Sequence, residues 1–437
     1  MAACACHADW PIGGGHTAVV TDPGVLYTFG AGAEGQLGHR DRSSGSFPKA
    51  LCIHGERVLM VACGAYHSAC CTDSGKVFTW GSGRWGTLGQ GDESDRLEPS
   101  RVDFESEGGR GQGPQRVVQV SCGARHSAAV TERGDLWIWG MHSLGQLGLG
   151  SLGEVSGSFA RPVMLRVQAL ERHHVAMVAC GGFHTLAADS GGSLFAWGLG
   201  RSGQLGLGDS RSHPVPQRVN PNLFGGGIVF VAAGSAHSGA VTVGGQLYMW
   251  GCGRDGRLGV RKDGLPESGM DQVFSMSVFD AKNSARTHSL SAWLRSHSLR
   301  ATPDCHATQE SPVRVHLRGR PGQVDDENGS PDTAASAQGG GLRQEEHGDI
   351  GADEVAVSMV ATGCRHNVAV ARGGGVWVWG YGADGQLGLP HASRQTQGRV
   401  QPVPVALDPA MFNHAGDSCD NSYTCTHATR CAHTGCT

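Results

Sequence analysis

Residues 62–89 decide the fold of this chain, and they read ACGAYHSACCTDSGKVFTWGSGRWGTLG. His67 opens a run of small and apolar residues, Gly75 follows, and two residues later an apolar segment begins that ends at Trp80 and Gly81. A glycine between two alternating segments is typical of a hairpin, because glycine accepts the positive φ that such turns require. The stretch therefore predicts two antiparallel strands joined by a tight turn.

The same pattern occurs six times along the chain. The terminal glycines of successive copies are separated by 51, 59, 58, 53 and 129 residues, and a histidine stands fourteen residues before each of them. The histidines are His16, His67, His126, His184, His237 and His366, and the tryptophans before the terminal glycine are Trp80, Trp139, Trp197, Trp250 and Trp379. Six copies in phase indicate a repeat protein rather than a sandwich with accidental spacing.

Each repeat divides into four short strands. In the third copy they are predicted at residues 117–120, 127–131, 136–139 and 162–167. No helical periodicity interrupts them, and four strands in about 50 to 60 residues describe a propeller blade. We predict an all-β protein, a β-propeller of four-stranded blades with six repeats visible and hence six or seven blades.

The paired motifs resemble those of the regulator of chromosome condensation repeat family. They are ACGAYHS at 62–68 followed by WGSGRWGTLG at 80–89, and the resemblance covers about residues 10–260 and 355–407. It implies a propeller, usually of seven blades, whose ring is closed by strands from both chain ends. The first repeat here begins in its middle at residues 10–16 and the last stops after residues 401–407, which fits such a closure.

The long gap between the fifth and sixth copies leaves the number of blades open. It holds either one repeat with an insertion or two repeats, one of them decayed, with strands at 272–279 and 312–317. Residues 316–354 carry a net charge of −6 and are rich in small polar residues, which indicates a disordered insertion. We divide the chain into propeller repeats one to five at 10–260, an insertion or degenerate blade at 261–354, the last repeat and ring closure at 355–412, and a disordered tail rich in Cys, His and Thr at 413–437.

Composition excludes several classes of protein. With 35 basic and 39 acidic residues the chain has a net charge of −4 and no basic arm, so we expect no direct binding of nucleic acid. No window is apolar enough for a membrane span, and the first ten residues do not form a secretory signal. Cys63, Cys122 and Cys180 lie in apolar runs and predict free thiols in a reducing compartment. We expect an intracellular protein, cytoplasmic rather than nuclear.

Two repeated motifs look chemical but predict structure. Five copies contain Gly-x-Gly-x-x-Gly, as at residues 30–35, yet the Gln36-Leu37-Gly38 that follows cannot sustain the helix a dinucleotide site needs. We therefore predict tight turns there, locked by the glutamines, and no cofactor. Six equivalent catalytic histidines are implausible, so we expect each histidine to hydrogen-bond its own blade.

The sequence offers no catalytic or metal-binding residues. The tail contains Cys419, Cys425, Cys431 and Cys436, but they do not form the close Cys-x-x-Cys pairs of structural zinc sites. No nucleophile elbow, paired metal-binding histidines or phosphate-binding loop occurs. We predict no metal and no catalysis by side-chain chemistry.

Candidate partner-binding residues are the positions that differ between copies, because the repeated positions build the scaffold. The residue before the histidine is aromatic or arginine in four copies, which is typical of binding hot spots. These four are Tyr66, Arg125, Phe183 and Arg365. A second set lies inside the Gly-x-x-Gly turns and comprises Arg84, Trp85, Arg201, Arg254, Asp255 and Asp384.

These observations favour a protein-interaction propeller that acts as a scaffold or regulatory module. The resemblance implies an alternative, guanine-nucleotide exchange on a small GTPase of the Ran type, which needs no catalytic dyad because a loop wedges against the phosphate site. A related plant photoreceptor carries tryptophans two residues before the histidine. This chain has none there, so that hypothesis is disfavoured; the six positions read Gly14, Ala65, Ala124, Gly182, Ser235 and Cys364. The partner's identity and the oligomeric state stay open.

Overall fold

The computed structural model describes residues 2–6, 15–103, 116–150, 160–260, 308–315, 317, 355–381 and 399–405, with the backbone alone at 2–6 and 399–405. These residues form six four-stranded antiparallel sheets, arranged as the blades of a β-propeller ring. The predicted all-β class is confirmed, and the described residues contain six blades. No helix in this part of the chain is long and apolar enough to cross a membrane.

Each blade consists of four strands that follow one another in the chain. The first three blades contain β1 (Ala2–Cys6), β2 (His16–Val20), β3 (Leu26–Gly30) and β4 (Gly45–Leu51); β5 (Val58–Cys63), β6 (His67–Thr72), β7 (Val77–Gly81) and β8 (Arg96–Val102); and β9 (Val117–Cys122), β10 (His126–Thr131), β11 (Leu136–Met141) and β12 (Ala160–Arg166). The last three contain β13 (Val175–Cys180), β14 (His184–Asp189), β15 (Leu194–Gly198) and β16 (His213–Arg218); β17 (Ile228–Ala233), β18 (His237–Thr242), β19 (Leu247–Cys252) and β20 (Thr308–Val315); and β21 (Val357–Thr362), β22 (His366–Ala371), β23 (Val376–Gly380) and β24 (Arg399–Val405).

The hydrophobic core lies between neighbouring blades. The first strand of each blade contacts the first strand of the next, so these strands line the axis. Each buried cluster combines two blades; Trp197 of the fourth blade, for example, packs with Ile138 and Leu147 of the third. The tryptophan that ends the third strand is fully buried in blades two to six. Each blade is therefore stabilised mainly by the apolar surface that it buries against its neighbours.

The hairpin prediction is confirmed in every copy. The glycine before the third strand has a φ between 79° and 85°, as glycine alone adopts readily, at Gly24, Gly75, Gly134, Gly192, Gly245 and Gly374. The four strands predicted in the third copy are also present, each displaced by a few residues at its ends.

The long gap contributes a strand to the fifth blade. Residues 308–315 form β20, which pairs with β19 and completes the fifth blade. The part of the predicted 312–317 strand that overlaps β20 therefore belongs to the fifth blade and not to a seventh. The predicted strand at 272–279 lies outside the described residues. Ring closure by a blade that mixes both chain ends is wrong, because β1 lies ahead of residue 10 and gives the first blade a strand from its own end of the chain.

Four short 3₁₀ turns complete the described secondary structure: η1 (Arg84–Gly86), η2 (Gln168–Leu170), η3 (Pro221–Leu223) and η4 (Arg254–Gly256). The Gly-x-Gly-x-x-Gly segment at residues 30–35 forms a turn with positive φ at Gly30 and Gly35, as predicted. Cys63 and Cys180 are buried and Cys122 is partly buried, and none of the three is part of a disulfide.

Candidate functional site

The two predicted sets of partner-binding residues lie at the same end of the ring. In each blade the histidine that begins the second strand pairs with the glycine that ends the third, as His67 pairs with Gly81. The turn before the histidine and the loop after the glycine therefore adjoin, and the Ser82 N–H donates to the Tyr66 carbonyl at 2.9 Å. We call this end of the propeller the loop face.

A small cavity of about 70 Å³ lies at the centre of the loop face. It is lined by the tight turns that precede the histidines in blades two to six, for example Gly64, Gly123 and Gly181. The turns touch one another directly, since the Ala65 N–H donates to the Gly123 carbonyl at 3.3 Å. The cavity is too small for a nucleotide or drug-sized ligand, so we consider the rim around it as the candidate partner-binding surface.

Arg125 brings the two sets together on the rim. Its Cζ lies over the Trp85 ring, 5.5 Å from the centroid, and over the Phe183 ring, 5.7 Å from the centroid. Trp85 comes from the second blade, Arg125 from the third and Phe183 from the fourth, so the contact spans three blades. We call Tyr66, Arg84, Trp85, Arg125 and Phe183 the Arg125 cluster; the charges of Arg84 and Arg125 act on the nearby Tyr66 hydroxyl.

Trp85 is held in place by an unusual backbone conformation. Its φ is +64°, which is costly for a bulky aromatic residue and is found where surrounding contacts enforce it. The Trp85 N–H donates to Glu93 Oε2 at 3.0 Å, and the Gly83 N–H donates to Asp95 Oδ1 at 3.0 Å. Thr87 closes the turn by donating to the Ser82 carbonyl at 2.6 Å. These bonds fix the backbone turn from which the Trp85 side chain projects.

The electrostatics of the cluster reflect partial burial. Desolvation lowers the pKa of Arg125, the Arg84 charge lowers it further, and Tyr66 opposes both. Burial also raises the pKa of the Tyr66 hydroxyl. Arg125 stays charged at any physiological pH because an arginine pKa lies so high. The cluster is thus a half-buried positive charge framed by aromatic rings.

The remaining predicted residues do not join the cluster. Arg365 lies over the Tyr381 ring, 5.4 Å from its centroid, and Arg201 is exposed on the loop of the fourth blade. Asp255 accepts a hydrogen bond from Arg257 and, with Arg254, forms the η4 turn. Asp384 lies outside the described residues.

Three participants were absent from the predicted sets. Tyr381 supports Arg365, Arg257 pairs with Asp255, and Met141 Sδ lies 3.9 Å from an Arg125 guanidinium nitrogen. Tyr381 and Met141 are the residues immediately after the terminal glycines Gly380 and Gly140. That position also varies between copies, and its variation is the signal that could have identified them.

Five of the six histidines, all but His366, have a structural role that differs from the prediction. His67 does not hydrogen-bond its own blade through Nε2; its Nε2 lies 2.7 Å from Ser127 Oγ in the next blade. Ser127 Oγ donates to the Thr87 carbonyl at 3.0 Å, and the Trp139 indole N–H donates to the same carbonyl at 2.8 Å. Because the serine's single proton is used there, the histidine Nε2 must carry the proton and donate to the serine. This set of bonds is the interblade latch.

The latch recurs between every consecutive pair of blades from the first to the sixth. The Nε2 partners are Ser68, Ser127, Thr185, Ser238 and Asn367, and the carbonyls that accept from them and from the tryptophans belong to Gln36, Thr87, Gln146, Gln204 and Arg257. The predicted turn-locking role of the glutamines is confirmed; Gln146 Oε1, for example, accepts from the Leu144 N–H at 2.9 Å.

Burial keeps the latch histidines neutral. Desolvation lowers the pKa of four of them to about 3, namely His67, His126, His184 and His237. Within the described residues no group of three or more His, Cys, Asp and Glu side chains could hold a metal ion. The histidines therefore stabilise the ring, while the residues that precede them differ between blades and frame the candidate site.

Comparisons with known proteins agree with this architecture. The family model for the RCC1-like domain matches residues 8–419. The Ultraviolet-B receptor UVR8 of Arabidopsis thaliana is 32% identical over 379 residues, which span 86% of this chain and 77% of the receptor. The human E3 ubiquitin-protein ligase HERC2 is 34% identical over 250 residues, 56% of this chain but 5% of the ligase. The chain thus corresponds to a small part of HERC2.

A solved structure gives the same fold. Prp20p of Saccharomyces cerevisiae, whose structure was described together with its binding properties to Gsp1p and histones, superposes with a TM-score of 0.61 at 21% sequence identity. The superposition covers 91% of this chain and 76% of Prp20p.

Proposed function

The chain belongs to the RCC1-like domain family, and from that membership we propose that it is a protein-interaction propeller, a scaffold or regulatory module whose partner binds the Arg125 cluster. The observation that carries this proposal is the contact of Arg125 with Trp85 and Phe183 on the loop face. Arginine and tryptophan dominate the energy of protein interfaces when they lie together in a partly desolvated patch.

The contrast between the latch and the cluster supports the same function. Every latch uses equivalent residues, so it can stabilise the ring but cannot distinguish one partner from another. The cluster occurs once among the described residues, because Trp85 and Phe183 occupy positions that carry other residues in the other blades. Arg365 is the sixth-blade equivalent of Arg125, but it lies over the Tyr381 ring. A single asymmetric patch on a rigid ring suits specific recognition of one partner.

Replacing Arg125 with alanine is expected to remove the partner from the propeller without unfolding it. Truncation of a central hot-spot residue costs at least about 2 kcal/mol of binding energy, or roughly a thirtyfold loss of affinity. The measurement is affinity purification of the full chain from cells that express it, comparing wild type with Arg125→Ala and Trp85→Ala. Proteins retained by wild type and lost from both variants are the expected partners.

The matched control is Arg172→Ala. Arg172 is exposed and lies just before β13, whose first residue, Val175, pairs with Asp189 at the end of the blade away from the loop face. This variant should retain the wild-type set of proteins. If all four proteins retain the same set, the cluster is not the binding site.

Guanine-nucleotide exchange is the second candidate function. What supports it is that Prp20p, which shares the fold, was described with its binding to Gsp1p, and exchange requires a rigid binding face rather than catalytic side chains. If this chain is an exchange factor for a small GTPase of the Ran type, it will accelerate release of a fluorescent GDP analogue in proportion to its concentration. Arg125→Ala or Arg365→Ala should then reduce the acceleration about tenfold.

The exchange assay separates the two functions. It requires a panel of small GTPases, Ran included, and circular dichroism to show that each variant is folded. Unchanged release from every GTPase, with a partner still captured through Arg125, would exclude exchange on that panel and leave the scaffold function.

A further inference from the structure

The Arg125 guanidinium has hydrogen-bonding capacity that the propeller does not use. An arginine carries five N–H donors, and it can lie over aromatic rings while these donors bind an anion in its plane. Among the described residues its acceptor is Met141 Sδ at 3.9 Å, which is a weak one, and no carboxylate forms an ion pair with Arg125. Arg125 is half-buried rather than fully buried, so part of its side chain stays in contact with solvent.

This arrangement is costly in the absence of an anion. Arg125 is half-buried, so its charge has lost part of its hydration, and burying a charge without an opposite charge is unfavourable. The exposed Arg84 lies near enough to raise that cost by repulsion. A carboxylate placed between the two guanidinium groups would relieve both effects through charge-assisted hydrogen bonds.

Acids near the cluster on the loop face are already engaged. Glu34 lies 3.9 Å from Arg42, and Glu93 accepts the Trp85 backbone N–H. Within the described part of the chain, Arg84 and Arg125 therefore face solvent without an acidic partner.

We propose that the Arg125 cluster is a receptor for the side-chain carboxylate of an aspartate or glutamate in an acidic segment of a partner protein. The inference rests on the proposed interaction function and specifies the chemistry of the partner. The carboxylate accepts hydrogen bonds from Arg125 and Arg84, and the apolar part of the segment packs on Trp85 and Phe183. A nucleic acid is the weaker fit, because the whole chain has a net charge of −4 and not the basic excess that attracts a phosphate backbone.

The test measures binding of labelled probes to the full chain by fluorescence anisotropy. The probes are a glutamate-rich peptide, the same peptide with glutamine for glutamate, its phosphoserine counterpart and a single-stranded oligonucleotide. We expect the glutamate peptide to bind more tightly than the other three. Arg125→Gln should weaken its binding at least tenfold, and high salt should weaken it further.

Two further variants keep the test decisive. Arg172→Gln removes the same charge at the opposite end of the ring and should bind the glutamate peptide as wild type does. Arg84→Gln alters an exposed side chain, so it remains folded if Arg125→Gln does not, and it should weaken binding severalfold.

Three results would overturn the inference. They are equal binding of the glutamate peptide by wild type and both cluster variants, tighter binding of the phosphoserine peptide or the oligonucleotide, and no binding of any probe. In each case cluster-dependent capture of a partner by the full chain would still support the proposed interaction function, so the two proposals fail separately.

Discussion

The free energy of unfolding of this propeller is expected to fall steeply as the pH drops below about 6.5. Burial lowers the pKa of His67, His126, His184 and His237 from 6.5 to about 3. The unfolded chain therefore binds these protons near pH 6.5, whereas the folded chain binds them only near pH 3. Protonation favours the unfolded state, so the stability is complete above pH 6.5 and is lost progressively as the pH falls toward 3.

The slope of this loss is set by the number of buried histidines. Each contributes up to about 1.4 kcal/mol per pH unit once the pH is below the pKa of a histidine in the unfolded chain. The measurement is the melting temperature at constant ionic strength across the acidic range. His184→Gln should lower the stability at neutral pH. It should also reduce the slope of stability against pH by the contribution of one histidine.

An exposed histidine provides the control for this experiment. His174 lies outside the latch and is exposed, so His174→Gln should retain the wild-type pH profile. A melting temperature that stays constant from about pH 7 to about pH 5 would show that the latch histidines are not buried as neutral groups.

The blades could be predicted from the sequence because their signals are local. Gly75 and the strand that ends at Trp80 stand within one short stretch, and the hairpin needs nothing more distant. The strand at residues 308–315 reads TQESPVRV and carries no repeat motif, so only its pairing with β19 assigns it to the fifth blade. The first strand, AACAC, also carries no repeat motif. For that reason the sequence led to the wrong expectation that strands from both chain ends close the ring.

The residues of the candidate site could be predicted from the sequence, but the contact between them could not. Variation between copies identified Arg125, Trp85 and Phe183, yet nothing in the sequence showed that three blades bring them together. The latch had the same limit. A serine follows His67 in its own blade and another occurs in the next, and periodicity cannot tell which of them the histidine binds. The distance from His67 Nε2 to Ser127 Oγ in the structure identifies the serine of the next blade as the partner.

Replacing Trp197 with alanine is expected to destabilise the ring by about 3 to 5 kcal/mol, as for other buried aromatic residues. The Trp197 side chain is fully buried between the third and fourth blades, and its indole N–H donates to the Gln146 carbonyl at 3.0 Å. Trp197→Phe should cost much less, about 1 to 2 kcal/mol, because that carbonyl still accepts from Thr185 Oγ1 at 2.8 Å. Chemical denaturation of the three proteins measures both differences.

Trp85→Ala separates the stability of the ring from recognition by the loop face. Trp85 is half-buried on the rim and takes no part in a latch, so its removal should cost less than about 1 kcal/mol of stability while abolishing capture of the partner. Trp197→Phe should show the reverse, a measurable loss of stability with capture retained, because the loop face keeps its residues. If Trp85→Ala lowered the stability as much as Trp197→Ala, the rim would be part of the structural framework. It would then be wrong to assign stability to the latch and recognition to the Arg125 cluster.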